Sequence, residues 1–331
     1  MRLAVLDLGS NTFHLLLAAV DSNGSIAKLG SVKRTLKLGA EIPVGGVIDD
    51  SQWKRAMSAI EEILTVGRPF ESRTLGVATS VFREAANGRA FIDAVRVRFG
   101  VPVELLTGTE EARLSYLGAI SDLPSLHGPV AVIDVGGGSV QLTAGEGDRC
   151  LLAKSLPFGV LRLCQQAAST TADAQTAART IAASLRLEAK SMTDAIAALE
   201  PRTVVFASGT ARAIASLPLL DTYEPVPPPR RLDAHAQSAG MATRVTRTGL
   251  RGLGAALLGL DAPALSALGV PADRHATAGP GAIVLETLMD LLRVEEATIA
   301  TRALREGVIV RTLSAARDSR PAPPAEAAPL Y

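Results

Sequence analysis

Aromatic residues are scarce: Phe, Trp and Tyr together make up 3% of 331 residues. That excludes a core of packed rings, so the 47% hydrophobic content must rest on Ala, Val, Leu and Ile, which suits helices packed on sheets. Cysteine is scarcer still. Cys150 and Cys164 lie at neither metal-ligand nor disulfide-framework spacing, so they read as buried free thiols and imply a reducing cytoplasm. Neither sign of charge dominates. A formal net charge of +1 excludes whole-molecule steering of a long polyanion and leaves any attraction to local Lys and Arg in a cleft; no nucleic acid partner is expected. No apolar run is long enough for a membrane span. Asp7, Asn11 and His14 interrupt the apolar N-terminus and no small-residue cleavage site follows, so it does not read as a signal peptide.

What is present divides into two parts, as the length allows. Residues 2–8 (RLAVLDL) and 13–20 (FHLLLAAV) read as neighbouring strands joined by a turn around Gly9, with a third strand near residues 25–32. Residues 50–66 place Trp53, Met57, Ile60 and Leu64 at helical spacing behind an Asp49-Asp50-Ser51 start signal. Alternating β and α segments follow: a strand over 74–78, a helix near 89–99, a strand over 103–105 and a helix from Thr109. A second part restarts at Pro129. It contains VAVIDVGGGSVQLTAGEG, a long Ala-rich helix over 171–199 and a β-α step over 203–217. The proline-rich residues 223–231 read as an extended loop, and the Pro, Ala and charge of residues 315–331 as a disordered tail.

The opening pattern recurs. Laying residues 5–15 on 132–142 puts Asp7 on Asp134, Gly9 on Gly136, Ser10 on Gly137, Asn11 on Gly138 and His14 on Gln141. Each copy sets an acid at a strand end, then a glycine where a Cβ-free residue lets backbone approach a ligand. Successive backbone N–H groups in such a turn form an anion-binding nest. A single Asp-x-Gly turn is ordinary hairpin chemistry. Two matched copies, each opening one part of the chain, point to a cleft between two phosphate turns.

Phosphoanhydride hydrolysis needs phosphates positioned, developing charge neutralised and a water oriented. The nests supply N–H donors. Asp7 and Asp134 suit a Mg²⁺, which is usually held by one or two carboxylates plus phosphate oxygens; their bland alternative is turn capping. A general base is offered by Glu110 and Glu111 near the start of a helix between the two parts, where Glu also stabilises helices by capping and the macrodipole.

The segments LDLGSNTFHLL, ATSVFREAAN, LTGTEEARLSYLG, VIDVGGGSVQL, ASGT and ALREG, taken in order, resemble the exopolyphosphatase and guanosine pentaphosphate phosphatase (Ppx/GppA) family. The resemblance spans Asp7 to Gly307 and implies an α/β fold of the actin, sugar-kinase and Hsp70 superfamily. Two ribonuclease H-like lobes are then expected, at 1–122 with a returning helix about 301–314 and at 123–300, with the site between them. By position it makes Asp7, Gly9, Ser10 and Asn11 the first phosphate loop, and Asp134, Gly136, Gly137, Gly138 and Ser139 the second. Glu111 becomes the catalytic base and Arg83 a substrate-binding arginine, whose alternative is a surface or carboxylate-paired role. Lys33 and Arg34 match a basic segment lining the cleft, against solvated surface charge. Ser208, Gly209 and Thr210 match a turn that lies near the adenosine in nucleotide-binding relatives. His14 either donates to phosphate or binds a neighbouring carboxylate. The glycine of ALREG reads as a helix-packing residue.

One position departs from the family pattern: Gln141 stands where an acid is usual, which weakens a direct cation contact there. The short two-lobe form resembles actinobacterial members. The resemblance implies a cytoplasmic exopolyphosphatase-like phosphohydrolase that uses Mg²⁺ or Mn²⁺ to release orthophosphate from the end of inorganic polyphosphate, with a homodimer as the family expectation. Guanosine pentaphosphate is the alternative substrate, and the loss of the acid at Gln141 motivates a non-catalytic phosphate or nucleotide sensor as the rival from another class.

Overall fold

The computed structural model describes residues 1–70, 72–123, 126–169, 173–217 and 243–318. The expected proline-rich loop at 223–231, and residues 319–331 of the expected tail, lie outside them. In the first half, β1 (Arg2–Leu8), β2 (Thr12–Val20) and β3 (Ile26–Thr35) form an antiparallel meander. β4 (Arg73–Ala78) and β5 (Val103–Leu105) extend it in parallel beyond β1, giving the order β3-β2-β1-β4-β5. In the second half, β6 (Val130–Val135), β7 (Val140–Glu146) and β8 (Arg149–Leu156) form a second meander. β9 (Thr203–Ala207) and β11 (Glu296–Ile299) continue it in parallel beyond β6, with β10 (Thr243–Thr246) antiparallel at the edge. Edge strand apart, both sheets share one topology, as the internal repeat leads one to expect.

Strand alternation directs residues to two faces. On β1, Ala4, Leu6 and Leu8 join a core under the helices Asp50–Gly67 and Gly88–Phe99, while Leu3 and Val5 join another with Leu114, Val308 and Ile309. The first of these helices begins with a full capping box: Gln52 N–H donates to Asp49 Oδ1 at 2.8 Å and Asp49 N–H to Gln52 Oε1 at 2.9 Å. The second sheet carries the largest core, closed by the helices Ala174–Ala197 and His275–Leu292.

The helix Gly108–Ile120 lies between the sheets. Its Leu114 packs into the first lobe's core, whereas Tyr116 and Ala119 pack with Val130, Val132 and Val205 of the second. Against it runs the helix Leu304–Asp318 at very short range. A Cβ on Gly307 would meet the Leu114 carbonyl oxygen at 1.8 Å, and one on Gly118 the Ala303 oxygen at 1.7 Å. Gly307 is therefore the packing glycine expected of ALREG. This helix also runs through residues 315–318, which the sequence assigned to the tail; Ala and Arg there are strong helix formers and propagate it. Among the described residues, no helix is long and apolar enough to cross a membrane.

Candidate active site

The two Asp-x-Gly turns interlock. In the second, Gly136 N–H donates to the Ser139 carbonyl at 2.9 Å, closing the hairpin. A Cβ on Gly137 would lie 2.8 Å from Asn11 Cβ, and one on Gly138 would lie 2.3 Å from Ser80 Oγ and 2.5 Å from Ser10 Oγ. Ser10 and Asn11 of the first turn thus fill the space that Gly137 and Gly138 leave open. The first turn is pinned in its own lobe, since the Ser10 and Ser80 hydroxyls are hydrogen-bonded at 2.8 Å and Val81 N–H donates to Ser10 Oγ at 3.2 Å.

A cleft of about 380 Å³ runs along these turns, lined by Asp7, Gly9, Ser10, Asn11, Asp134 and Gly136 through Ser139, with Glu111 and Gln141 on its wall. Glu111 enters from the helix between the sheets, where Thr107 caps the N-terminus by accepting from Glu110 N–H at 3.1 Å. Its position makes it 7% exposed, and both of its oxygens are held. Arg83 Nη1 donates to Oε2 at 3.0 Å. Gln141 Nε2 donates to Oε1 at 3.0 Å, and Ser139 Oγ to the same oxygen at 3.3 Å. One turn on, on the same helix face, Ser115 Oγ donates to Asp134 Oδ2 at 2.7 Å.

Burial sets the proton chemistry. It pushes Glu111 up to about 7 against the pull of Arg83, which suits a base near neutral pH. Asp7 is pushed up to about 6 by burial, offset by Arg305, whose Nη1 donates to Asp7 Oδ2 at 3.1 Å. Asp134 is also raised by burial, against its bond from Ser115. His14 is driven down to about 3 by burial and then by Arg305, Lys28, Arg212 and Lys33, so its ring is neutral at physiological pH.

Of the residues expected from the sequence, His14, Lys33, Ser208, Gly209 and Thr210 also line the cleft. Lys33 reaches across it to Asp273 at 3.2 Å in an exposed pair, an arrangement that contributes little to stability. Ser208 has φ of 109°, a strained geometry for a residue with a side chain; its hydroxyl caps the next helix by accepting from Ala211 N–H at 3.1 Å. Two expectations change. Arg34 is no cleft residue: β3 extends to Thr35, alternation turns Arg34 to the face opposite Lys33, and its Nε donates to Glu62 at 2.8 Å. Arg83 is engaged by the Leu106 carbonyl at 2.8 Å and by Glu111, away from the cleft lining.

Sequence reading missed Arg212, Arg274 and Arg305, all on the cleft lining. Arg274 Nη1 donates to Thr210 Oγ1 at 3.2 Å, in space that Gly209 leaves by lacking a side chain. These arginines stand in segments with no phosphate-turn pattern.

The residues present fit a hard divalent cation. Asp7 and Asp134 offer two buried carboxylates, each raised by burial, with the charge of Asp134 raising Asp7 further, and the buried Asn11 Oδ1 accepts no hydrogen bond among the described residues. No group of three or more His, Cys, Asp or Glu converges on a metal position among the described residues. An all-oxygen set of this size is the kind Mg²⁺ uses when phosphate completes its shell.

Paired sheets of one topology with their Asp-x-Gly turns interlocked at a cleft define a two-lobed α/β protein. The chain belongs to the Ppx/GppA phosphatase family, whose model matches residues 17–316, and is accordingly a phosphohydrolase. It is 32% identical over 324 residues to exopolyphosphatase 1 of Mycobacterium tuberculosis, covering 96% of this chain and 90% of that one. It is 29% identical to the guanosine-5'-triphosphate,3'-diphosphate pyrophosphatase of Pseudoalteromonas translucida, covering 94% of this chain and 59% of that one. Among solved structures, an exopolyphosphatase from Cytophaga hutchinsonii matches with a TM-score of 0.78 at 20% identity, covering 95% and 98% of the two chains. The Aquifex aeolicus Ppx/GppA family member matches at 0.76 and 21%, covering 97% and 99%. The fold is therefore the two-lobed actin-like one.

Proposed function

We propose that the chain is an exopolyphosphatase, releasing orthophosphate from the end of inorganic polyphosphate with Glu111 as general base. The observation that carries this reading is the Glu111 carboxylate, fixed at both oxygens and facing a cleft built from two interlocked anion-binding turns. Backbone N–H groups of the Gly9–Asn11 turn and of Gly137–Ser139 bind the terminal phosphoryl oxygens. Glu111 orients a water and takes its proton as the water oxygen bonds to the terminal phosphorus. The anhydride P–O bond breaks, and its electron pair stays on the bridging oxygen of the shortened chain. Products are orthophosphate and a polyphosphate one unit shorter. Mg²⁺ or Mn²⁺, held by Asp7 and Asp134, would offset the charge developing on the phosphoryl group. Arg83 and Gln141 keep Glu111 aimed, so the loss of an acid at Gln141 is compatible with turnover and weighs against a sensor.

Guanosine pentaphosphate is the second reading, favoured by the Ser208–Thr210 turn and Arg274 on the cleft wall and by the name of the Pseudoalteromonas relative. Phosphate release from tripolyphosphate, long-chain polyphosphate and guanosine pentaphosphate, measured side by side, separates the two. Faster release from the polyphosphates is expected. Faster release from the nucleotide transfers the assignment, and no release from any of the three defeats both.

A further inference from the structure

We propose that Arg305 is a phosphate-binding residue of the cleft, donating from its Nε–Nη2 edge to a phosphoryl oxygen of the substrate while Nη1 stays on Asp7. The inference rests on the polyphosphate reading above and adds a residue that the phosphate turns do not contain.

A guanidinium has two forked edges. Here Nη1 is engaged with Asp7 at 3.1 Å. Nε, on the other edge, is buried and has no hydrogen-bond partner among the described residues. Leaving a buried donor unpaired is costly, and service as a counter-ion to Asp7 does nothing to recover that cost. A phosphate oxygen recovers it, since the planar fork matches phosphate in a bidentate way.

The surroundings favour an anion at this edge. Arg305 lines the cleft with its neighbours Ala303 and Leu304, at the positive end of the 15-residue helix Leu304–Asp318. The Ala303 N–H is already taken, donating to Glu306 Oε2 at 3.0 Å. The same positive field, from Arg305 with Arg212, helps hold His14 uncharged. Asp7 fixes the guanidinium before substrate arrives, so little side-chain freedom is lost on binding.

The test is a cycle between Arg305→Met and Asp7→Asn, read as tripolyphosphate affinity by calorimetry and as KM and kcat by phosphate release. Arg305→Met should weaken tripolyphosphate binding about tenfold to a hundredfold in both backgrounds, as loss of a charge-assisted phosphate contact does. Binding by the double variant equal to that of Asp7→Asn alone overturns the proposal, because Arg305 then serves only Asp7. If Arg305→Met fails to fold on a thermal melt, Arg305→Lys decides: affinity several-fold below wild type supports the fork, and wild-type affinity overturns it. Wild-type protein that neither binds nor hydrolyses tripolyphosphate instead sinks the exopolyphosphatase reading, and the role of Arg305 with it.

Discussion

Across the first sheet, Asp7 stands opposite His14, which stands opposite Lys33; across the second, Asp134 stands opposite Gln141, which stands opposite Ser155. The scaffold is the same and the side chains differ in kind. In the first row, ionisable groups follow the acid, and His14 is kept neutral by burial among cations. In the second, uncharged donors follow it, and Gln141 Nε2 donates both to Ser139 Oγ at 2.8 Å and to Glu111. The amide at Gln141 also removes a repulsion: an acid there would set a second carboxylate against Glu111. One copy of the repeat sets an acid, a neutral ring and Lys33 along the cleft, and the other brackets Glu111.

That contrast is broken most severely by Glu111→Gln. Turnover should fall by about 10² to 10⁴ with tripolyphosphate binding kept, and near-normal turnover would remove the base from the second row's bracket. The pH dependence of kcat/KM sharpens the same side. As the proposed base Glu111 would act only when deprotonated, and its pKa is raised to about 7, so activity should rise with pH through about 7 and be lost below it. Arg83 pulls that value down, so Arg83→Met should move the acid limb to higher pH; an unmoved limb would assign it to another group. The first row gives the smallest effect. His14→Gln copies the second row's residue into the first, and because a neutral ring carries no charge to lose, kcat/KM should stay within about threefold of wild type. A loss beyond tenfold would make the ring a phosphate donor.

Much of this arrangement was legible in the sequence, because the repeat sits in two short segments where strand and turn signals are local. Asp7, Asp134, the glycines of both turns and Glu111 come together at the cleft as their motifs suggest. The strand face of Arg34 was readable by period two once β3 was known to extend past Val32, but its assigned end stopped short. Long-range pairing was hidden. Arg83 on Glu111 joins residues 28 apart, and Arg305 on Asp7 joins residues 298 apart; no periodicity in either segment names the partner. ALREG carries both lessons, since a glycine at helical spacing signals packing while the arginine two residues earlier signals nothing until the helix is laid against β1. The reason for Gly137 and Gly138 was likewise hidden, being the side chains of Ser10 and Asn11 from the opposite lobe.

If Gln141 acts through Glu111, Gln141→Leu made in the wild-type and Glu111→Gln backgrounds shows it directly. Misaiming a base by roughly 1 Å costs about a hundredfold, so kcat should fall by about that factor in the wild-type background with KM little changed. In Glu111→Gln the same substitution should cost almost nothing further, because coupled residues are non-additive. Equal fold losses in the two backgrounds would show that Gln141 acts independently of Glu111.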